Sequence, residues 1–143
     1  MIKLLFAISM LVFIGCSPEP ENTVNEKDPA IESAFKDIPD GEFIEYHPNG
    51  KLKTKGIIKN GKRTGTWTAY HTNGNIYSEN KYKKGILNGK TAAYYPNGNV
   101  QYMGLYINNK KDDSWFFYLE DGTLDQEILY KDGQKIKTAP KNK

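Results

Sequence analysis

The chain has 143 residues, which is enough for one ordinary domain. Hydrophobic residues make up 38% of it and ten of its aromatic residues are tyrosine, so the composition argues against a thick two-layer core and favours a thin sheet. The net charge of +3 has two opposite parts: Ser17 to Glu42 carries eight acidic residues and two lysines (−6), and Phe43 to Lys143 carries seventeen basic and nine acidic residues (+8), with Lys3 supplying the rest. An acidic stretch therefore precedes a basic region.

The first sixteen residues have the pattern of an export signal. Lys3 is followed by an apolar run from Leu4 to Gly15 and then by Cys16, the one cysteine of the chain. Twelve residues are too few to span a bilayer, which takes about twenty, but they fit a secretory signal. Gly15 before Cys16 makes the segment resemble a bacterial lipoprotein signal. That resemblance implies a signal peptide over 1–15, a lipid on Cys16 and an exported, membrane-anchored protein. Ser17 after the cysteine favours the outer membrane, if the organism has one.

The next two segments differ from each other. Residues 16–28 are rich in Pro, Glu and Asn and predict a flexible acidic tether. Asp28 and Pro29 are suited to a helix start, and apolar residues recur at helical spacing up to Ile38, so we expect a short helix at about 29–37 within a capping segment, 29–40. Such a cap would cover the open end of a repeat array. Residues 137–143 are predicted to be a disordered tail.

Between them, four 24-residue units align without gaps: 41–64, 65–88, 89–112 and 113–136. A recurrence over most of a chain indicates a repeat architecture. The sixth position of every unit is tyrosine and the tenth is glycine; these residues are Tyr46, Tyr70, Tyr94 and Tyr118, and Gly50, Gly74, Gly98 and Gly122.

Each unit predicts one β-hairpin. The phrase "HPNGK" has the chemistry of a type I turn closed by a glycine bulge, and the second turn keeps a residue that tolerates a positive φ, since Asn109 can replace glycine. One hairpin buries too little to fold alone, so each needs its neighbours. The predicted fold is all-β: an elongated antiparallel sheet of about eight strands, made of four stacked hairpins with a short N-terminal capping helix.

Side-chain alternation predicts one apolar-aromatic face and one polar face. We expect the repeated tyrosines to share the apolar face with Ile58 and Tyr82, and Trp67 and Trp115 to lie on the other face.

The units resemble the MORN-repeat variant that is common in bacterial lipoproteins and in proteins labelled antitoxin components. Gly65-Thr66-Trp67, Tyr70, Asn73-Gly74, Tyr82 and Gly85 carry the pattern most fully, and Thr91, Asn109 and Asp113 depart from it. The resemblance covers 41–136 and implies a hairpin array that binds or scaffolds and catalyses no reaction. An exported protein could not easily neutralise a cytoplasmic toxin, so the antitoxin association carries no prediction here.

Few residues suggest chemistry. His47 and His71 occupy equivalent positions roughly 10 Å apart, too far for one metal ion. Asp112 and Asp113 lie at a unit junction, where solvation of a turn explains them better than acid–base catalysis. No phosphate-loop or dinucleotide motif is present. We expect no catalytic residue, metal, cofactor or nucleic-acid ligand.

Two binding hypotheses remain, and in both the partner lies in the cell envelope. In the first, the lipid-anchored sheet binds an envelope protein or a cell-surface polymer through exposed Trp67 and Trp115, and through a groove of the four repeated tyrosines, which otherwise serve as a structural spine. In the second, the basic repeats bind anionic lipid headgroups or an acidic glycan. The candidates for that role are Lys51, Lys53, Lys55, Lys59, Lys62 and Arg63.

Overall fold

The computed structural model describes residues 34–138, which form one antiparallel sheet of nine strands in chain order. The strands are β1 (Gly41–Tyr46), β2 (Leu52–Lys59), β3 (Lys62–Tyr70), β4 (Ile76–Lys83), β5 (Ile86–Tyr94), β6 (Val100–Ile107), β7 (Lys110–Tyr118), β8 (Leu124–Lys131) and β9 (Gln134–Thr138). The prediction of an all-β antiparallel array is confirmed. The ninth strand was not predicted, and it includes Lys137 and Thr138, which the sequence analysis assigned to the tail.

The predicted capping helix falls mostly outside the described residues, as do the signal segment and the tether. Residues 34–37 are a turn that ends with a hydrogen bond from the Ile38 N–H to the Phe35 carbonyl (3.1 Å), and residues 34–138 contain no helix. Phe35 and Ile38 nevertheless pack on the buried cluster of the first two repeats. The Phe35 ring lies 5.4 Å from the Trp67 ring and 5.5 Å from the Phe43 ring.

Two kinds of turn alternate along the chain, one at each end of the strands. Each row of turns runs across the strands and is called an edge here, as distinct from the edge strands β1 and β9. At the first edge, here called the Asn-turn edge, four-residue turns are closed as in the first unit, where the Gly50 N–H donates to the His47 carbonyl (2.9 Å). Gly50 has φ 79°, as the predicted turn with a glycine bulge requires. The turns of this edge are 47–50, 71–74, 95–98 and 119–122.

The opposite edge, here called the two-residue-turn edge, has a positive φ at both turn residues. In Asn60-Gly61 the values are 51° and 64°, and in Asn108-Asn109 they are 51° and 63°. Two successive positive φ values define the type I′ turn that suits a twisted hairpin, so asparagine replaces glycine at 109 as the sequence predicts. The other two turns of this edge are 84–85 and 132–133.

Side chains at the Asn-turn edge link each hairpin to the next. The His47 Nε2–H donates to the Tyr70 carbonyl (2.8 Å), and the Asn49 Nδ2–H donates to the Thr72 carbonyl (2.9 Å). The same Asn49 closes its own turn, because its Oδ1 accepts from the Lys51 N–H (3.1 Å). The second and third turns repeat this arrangement through His71, Asn73, Tyr95 and Asn97.

The last turn ends this ladder. Leu119 stands where the earlier turns have histidine or tyrosine, and Asp121 stands where they have asparagine. Asp121 still closes its own turn by accepting from the Thr123 N–H (2.8 Å). Neither side chain has a donor to offer to a following turn, so the polar links stop where the repeats stop.

The difference between Asn73, which links two turns, and Asp121, which links none, can be tested by mutation. Asn73→Asp keeps the acceptor that closes the turn but replaces one of the two side-chain donors to the Pro96 carbonyl with an oxygen, the other donor being Asn75 Nδ2. We expect a loss of about 1 kcal/mol in the free energy of unfolding. Asp121→Asn is the matched control and should change it by less than about 0.5 kcal/mol. Urea unfolding followed by tryptophan fluorescence measures both. Equal losses in the two variants would contradict the ladder.

Candidate functional site

The two faces of the sheet differ in what they bury. One, here called the Trp face, carries most of the buried apolar side chains; the largest are Ile58, Trp67, Tyr82, Leu87, Trp115 and Ile128. The other, here called the Tyr face, carries the repeated tyrosines; for example, Lys55 lies over the Tyr70 ring, and the Tyr94 hydroxyl donates to Glu79 (3.3 Å). Burial of the Tyr94 hydroxyl, and then the Glu79 charge, raise the pKa of Tyr94.

The predicted assignment of faces is right in placing the tryptophans opposite the repeated tyrosines, and it is wrong for Ile58 and Tyr82, which lie on the Trp face. Trp67 pairs with Asn80 across β3 and β4, so it shares a face with Tyr82, two residues further along β4. Tyr70 follows Trp67 by three residues and points to the opposite face. The β-bulges that shift the register in every hairpin decide which face of one strand continues onto the next.

The expected exposure of the tryptophans is also wrong. Trp67 is 6% exposed and Trp115 is 1% exposed. Each ring lies over a glycine of the preceding strand: a Cβ added to Gly56 would come within 2.3 Å of the Trp67 ring, and one added to Gly104 within 2.3 Å of the Trp115 ring. Each indole N–H donates to a carbonyl, of Ile57 (3.3 Å) and Leu105 (3.2 Å). Both are core side chains and offer no exposed anchor.

The sequence carries a signal for this burial. The position that faces the third residue of the next unit is Gly56, Asn80 and Gly104 in the first three units. Glycine stands there wherever tryptophan follows, and Asn80 stands where the smaller Thr91 follows and donates its hydroxyl proton to the amide oxygen. This matching of sizes within one chain distinguishes a packed pair from an exposed ring.

Arg63 is likewise a core residue and no part of a basic surface. It is 9% exposed, its guanidinium carbon lies 4.0 Å from the centre of the Tyr82 ring, and its Nη1 donates to the Tyr82 hydroxyl (2.7 Å). Lys111 has the equivalent place over Trp115, 4.5 Å from the ring centre. These cation–π contacts complete the packing of the Trp face.

The other predicted basic candidates do not form one patch. Lys51 lies at the Asn-turn edge and donates to the Asn73 carbonyl (2.6 Å), and Lys53 is paired with Glu45 (2.8 Å). Lys55 covers the Tyr70 ring. Of the six predicted basic candidates, only Lys59 and Lys62 lie at the two-residue-turn edge, where they face each other across β2 and β3.

Most of the exposed aliphatic and methionine side chains of the strands lie on the Tyr face. They are Ile44, Ile57, Ile86, Met103, Ile107, Leu124 and Leu129, each 37–49% exposed, whereas Ile136 on β9 is 59% exposed. The most continuous group, here called the Met103 patch, is the cross-strand row Ala92–Met103–Phe116 with Tyr94 and Tyr118 beside it. Adjacent exposed apolar side chains mark interaction surfaces more often than isolated ones do.

The repeated tyrosines are partly exposed along one row of the Tyr face. Tyr46 is 60% exposed at the first strand, whereas Tyr70, Tyr94 and Tyr118 are half-buried. Of these four, Tyr94 and Tyr118 lie beside the Met103 patch. Their role in binding stays a prediction.

The remaining titratable candidates have structural partners. Asp112 accepts from the Asp132 N–H (3.2 Å) and from Lys131, and these bonds lower its pKa. Asp113 has φ 64° at a bulge and accepts from the Ser114 N–H. Across residues 34–138, no three His, Cys, Asp or Glu side chains are grouped as a metal site would need.

Comparison with known proteins identifies the repeats. A family model described as the MORN repeat variant matches the chain over residues 39–60, 63–84, 87–108 and 114–132, more than half of its length. No curated protein sequence matches the chain significantly. In the part of the chain that the structure describes, no helix has the length and apolarity to cross a membrane.

The matched pair of tryptophan and glycine predicts a rescue. Gly56→Asn should clash with the Trp67 ring, and Trp67→Thr should leave a cavity and lose about 3–5 kcal/mol of the free energy of unfolding. The double variant recreates the Asn80–Thr91 pair at another junction, so it should be more stable than the sum of the single losses predicts. Thermal and urea unfolding of the four proteins measure the coupling, and strict additivity would show that the two side chains are not packed together.

Proposed function

This chain belongs to the MORN-repeat variant family, and from that membership and the two faces of the sheet we propose that it is a lipid-anchored protein-binding module of the cell envelope. MORN repeats are in general protein- or lipid-binding modules without catalytic activity. The proposal adds a lipid on Cys16 as the anchor, export as the location and the Tyr face as the binding surface.

The Met103 patch is the reason for proposing the Tyr face, and not the Trp face, as the binding surface. The Trp face is closed, because its tryptophans lie against glycines and its cations lie over the rings. On the Tyr face, Met103 is 37% exposed between Ala92 and Phe116, and the half-buried rings of Tyr94 and Tyr118 border it. A flexible thioether among aromatic rings suits a protein partner, since it adapts its shape to the surface that it meets.

A photo-crosslinking side chain at position 103 tests this surface in the native envelope. We expect it to form one discrete adduct with an envelope protein, whereas the same group in place of Ile136, which is 59% exposed on β9, should form none. Met103→Glu should abolish the adduct of a second crosslinker placed at position 118, and Ile136→Glu should preserve it. Both variants should unfold within about 1 kcal/mol of the parent. An adduct that is unaffected by Met103→Glu would place the partner elsewhere.

A second candidate, binding to an anionic lipid surface, is favoured by the other half of the Tyr face. There, exposed Ile57, Ile86 and Ile107 alternate with lysines near the two-residue-turn edge. Apolar side chains among cations suit the boundary between headgroups and acyl chains.

Vesicle sedimentation separates this candidate from the first. Binding to vesicles with anionic headgroups should fall at least about tenfold between 0.05 and 0.5 M salt, because salt screens surface charges. Lys83→Gln with Lys110→Gln should weaken it, and the control Lys51→Gln with Lys53→Gln should not. Binding that survives high salt unchanged would contradict this second candidate.

A further inference from the structure

Five lysines at one edge of the sheet have no ionic partner in the described part of the chain. They are Lys59, Lys62, Lys83, Lys84 and Lys110, here called the lysine edge. All are exposed, and within residues 34–138 no carboxylate forms an ion pair with any of them. They lie in or beside the turns 60–61, 84–85 and 108–109, so they follow one another across the strands from β2 to β7.

Acidic residues near this edge include Asp40, Asp112 and Asp132. Asp40 accepts from the Asn60 N–H at the first of these turns. Asp112 binds Lys131 (3.2 Å) and the Asp132 N–H. Among the residues that the structure describes, none of the three forms an ion pair with the five lysines, which outnumber them, so the edge carries an excess of positive charge that attracts an anionic segment.

The chain enters the described structure at one end of this row. A Cβ added to Gly61 would lie 3.1 Å from the Lys36 Cα, so the residues that follow Ala34 pass directly beside the turn between Lys59 and Lys62. The preceding segment, 17–33, carries five carboxylates (Glu19, Glu21, Glu26, Asp28 and Glu32) and one lysine, a net charge of −4.

The lengths also match. From β2 to β7 there are five strand spacings, about 24 Å at ~4.8 Å each. Seventeen residues reach up to about 56 Å when extended, so the segment spans the row with slack. Because it is joined to the sheet beside the row, its effective concentration there is in the millimolar range.

We propose that the acidic segment 17–33 docks along the lysine edge. This inference concerns contacts within one chain, so it holds or fails independently of the protein partner proposed for the Met103 patch.

Zero-length carbodiimide crosslinking of the full chain, with no other component, tests the contact. We expect amide bonds from Glu26, Asp28 or Glu32 to Lys83, Lys84 and Lys110, in a yield that is unchanged by tenfold dilution and falls at least about fivefold at 0.5 M salt. Lys51, at the opposite edge, is the internal control and should not be joined to the segment. Yields that rise with protein concentration would assign the contact to a second copy and overturn the proposal.

A matched pair of variants gives a second measurement. Cleavage after Lys27 by a lysine-specific protease should be faster by about threefold or more in Lys83→Gln/Lys84→Gln/Lys110→Gln, because proteolysis follows the undocked population. Lys51→Gln/Lys53→Gln/Lys137→Gln removes the same charge elsewhere and should cleave at the parent rate. Equal rates in both variants, or crosslinks spread evenly over all lysines, would overturn the proposal.

Discussion

The structure depends on one interaction, the antiparallel pairing of the last strand of each hairpin with the first strand of the next. The strands lie in a single sheet in chain order, and the described residues supply no second layer beyond the turn that brings Phe35 and Ile38 onto the first repeats. Each hairpin is therefore stabilised by backbone hydrogen bonds, by rings that lie over glycines of the neighbouring strand, and by side-chain bonds between turns. Stability in such an array is a sum of neighbour terms, so a residue that ends the array matters as much as one that repeats.

Because the hairpins depend on one another, the two faces of the sheet have different roles. The Trp face supplies the packing between hairpins: Trp67 and Trp115 are buried although they are the residues that a reader of the sequence would choose as binding anchors. The Tyr face carries the exposed apolar residues and the lysines on which the two proposals rest. Met103 and the lysine edge lie on different parts of that face, so the proposed protein partner and the proposed anionic segment would not compete for the same residues.

The repeat length, the hairpins and both turn types could be predicted because they are local. Gly50 and Asn109 have positive φ values, and these could be predicted because glycine and asparagine are the residues that tolerate them in turns. The 24-residue step predicted the order of the strands. The candidate site could not be predicted as well. The sequence predicted Trp67, Trp115 and Arg63 to be exposed binding residues, and they are buried. Their burial depends on the residues that lie across the strand, namely Gly56, Gly104 and Tyr82, and cannot be inferred from the residue types tryptophan and arginine alone.

The sequence by itself determined that this protein is an antiparallel array of four hairpins, because the turn residues and the 24-residue step are local features of the chain. The tertiary structure alone decided which residues share a face. Alternation assigns sides within one strand, but the bulge in each hairpin adds a residue to one strand and so changes which side of the next strand it meets. Through that register the tryptophans and Tyr82 are buried in the core, whereas the repeated tyrosines stay partly exposed on the other face, and no single strand encodes this.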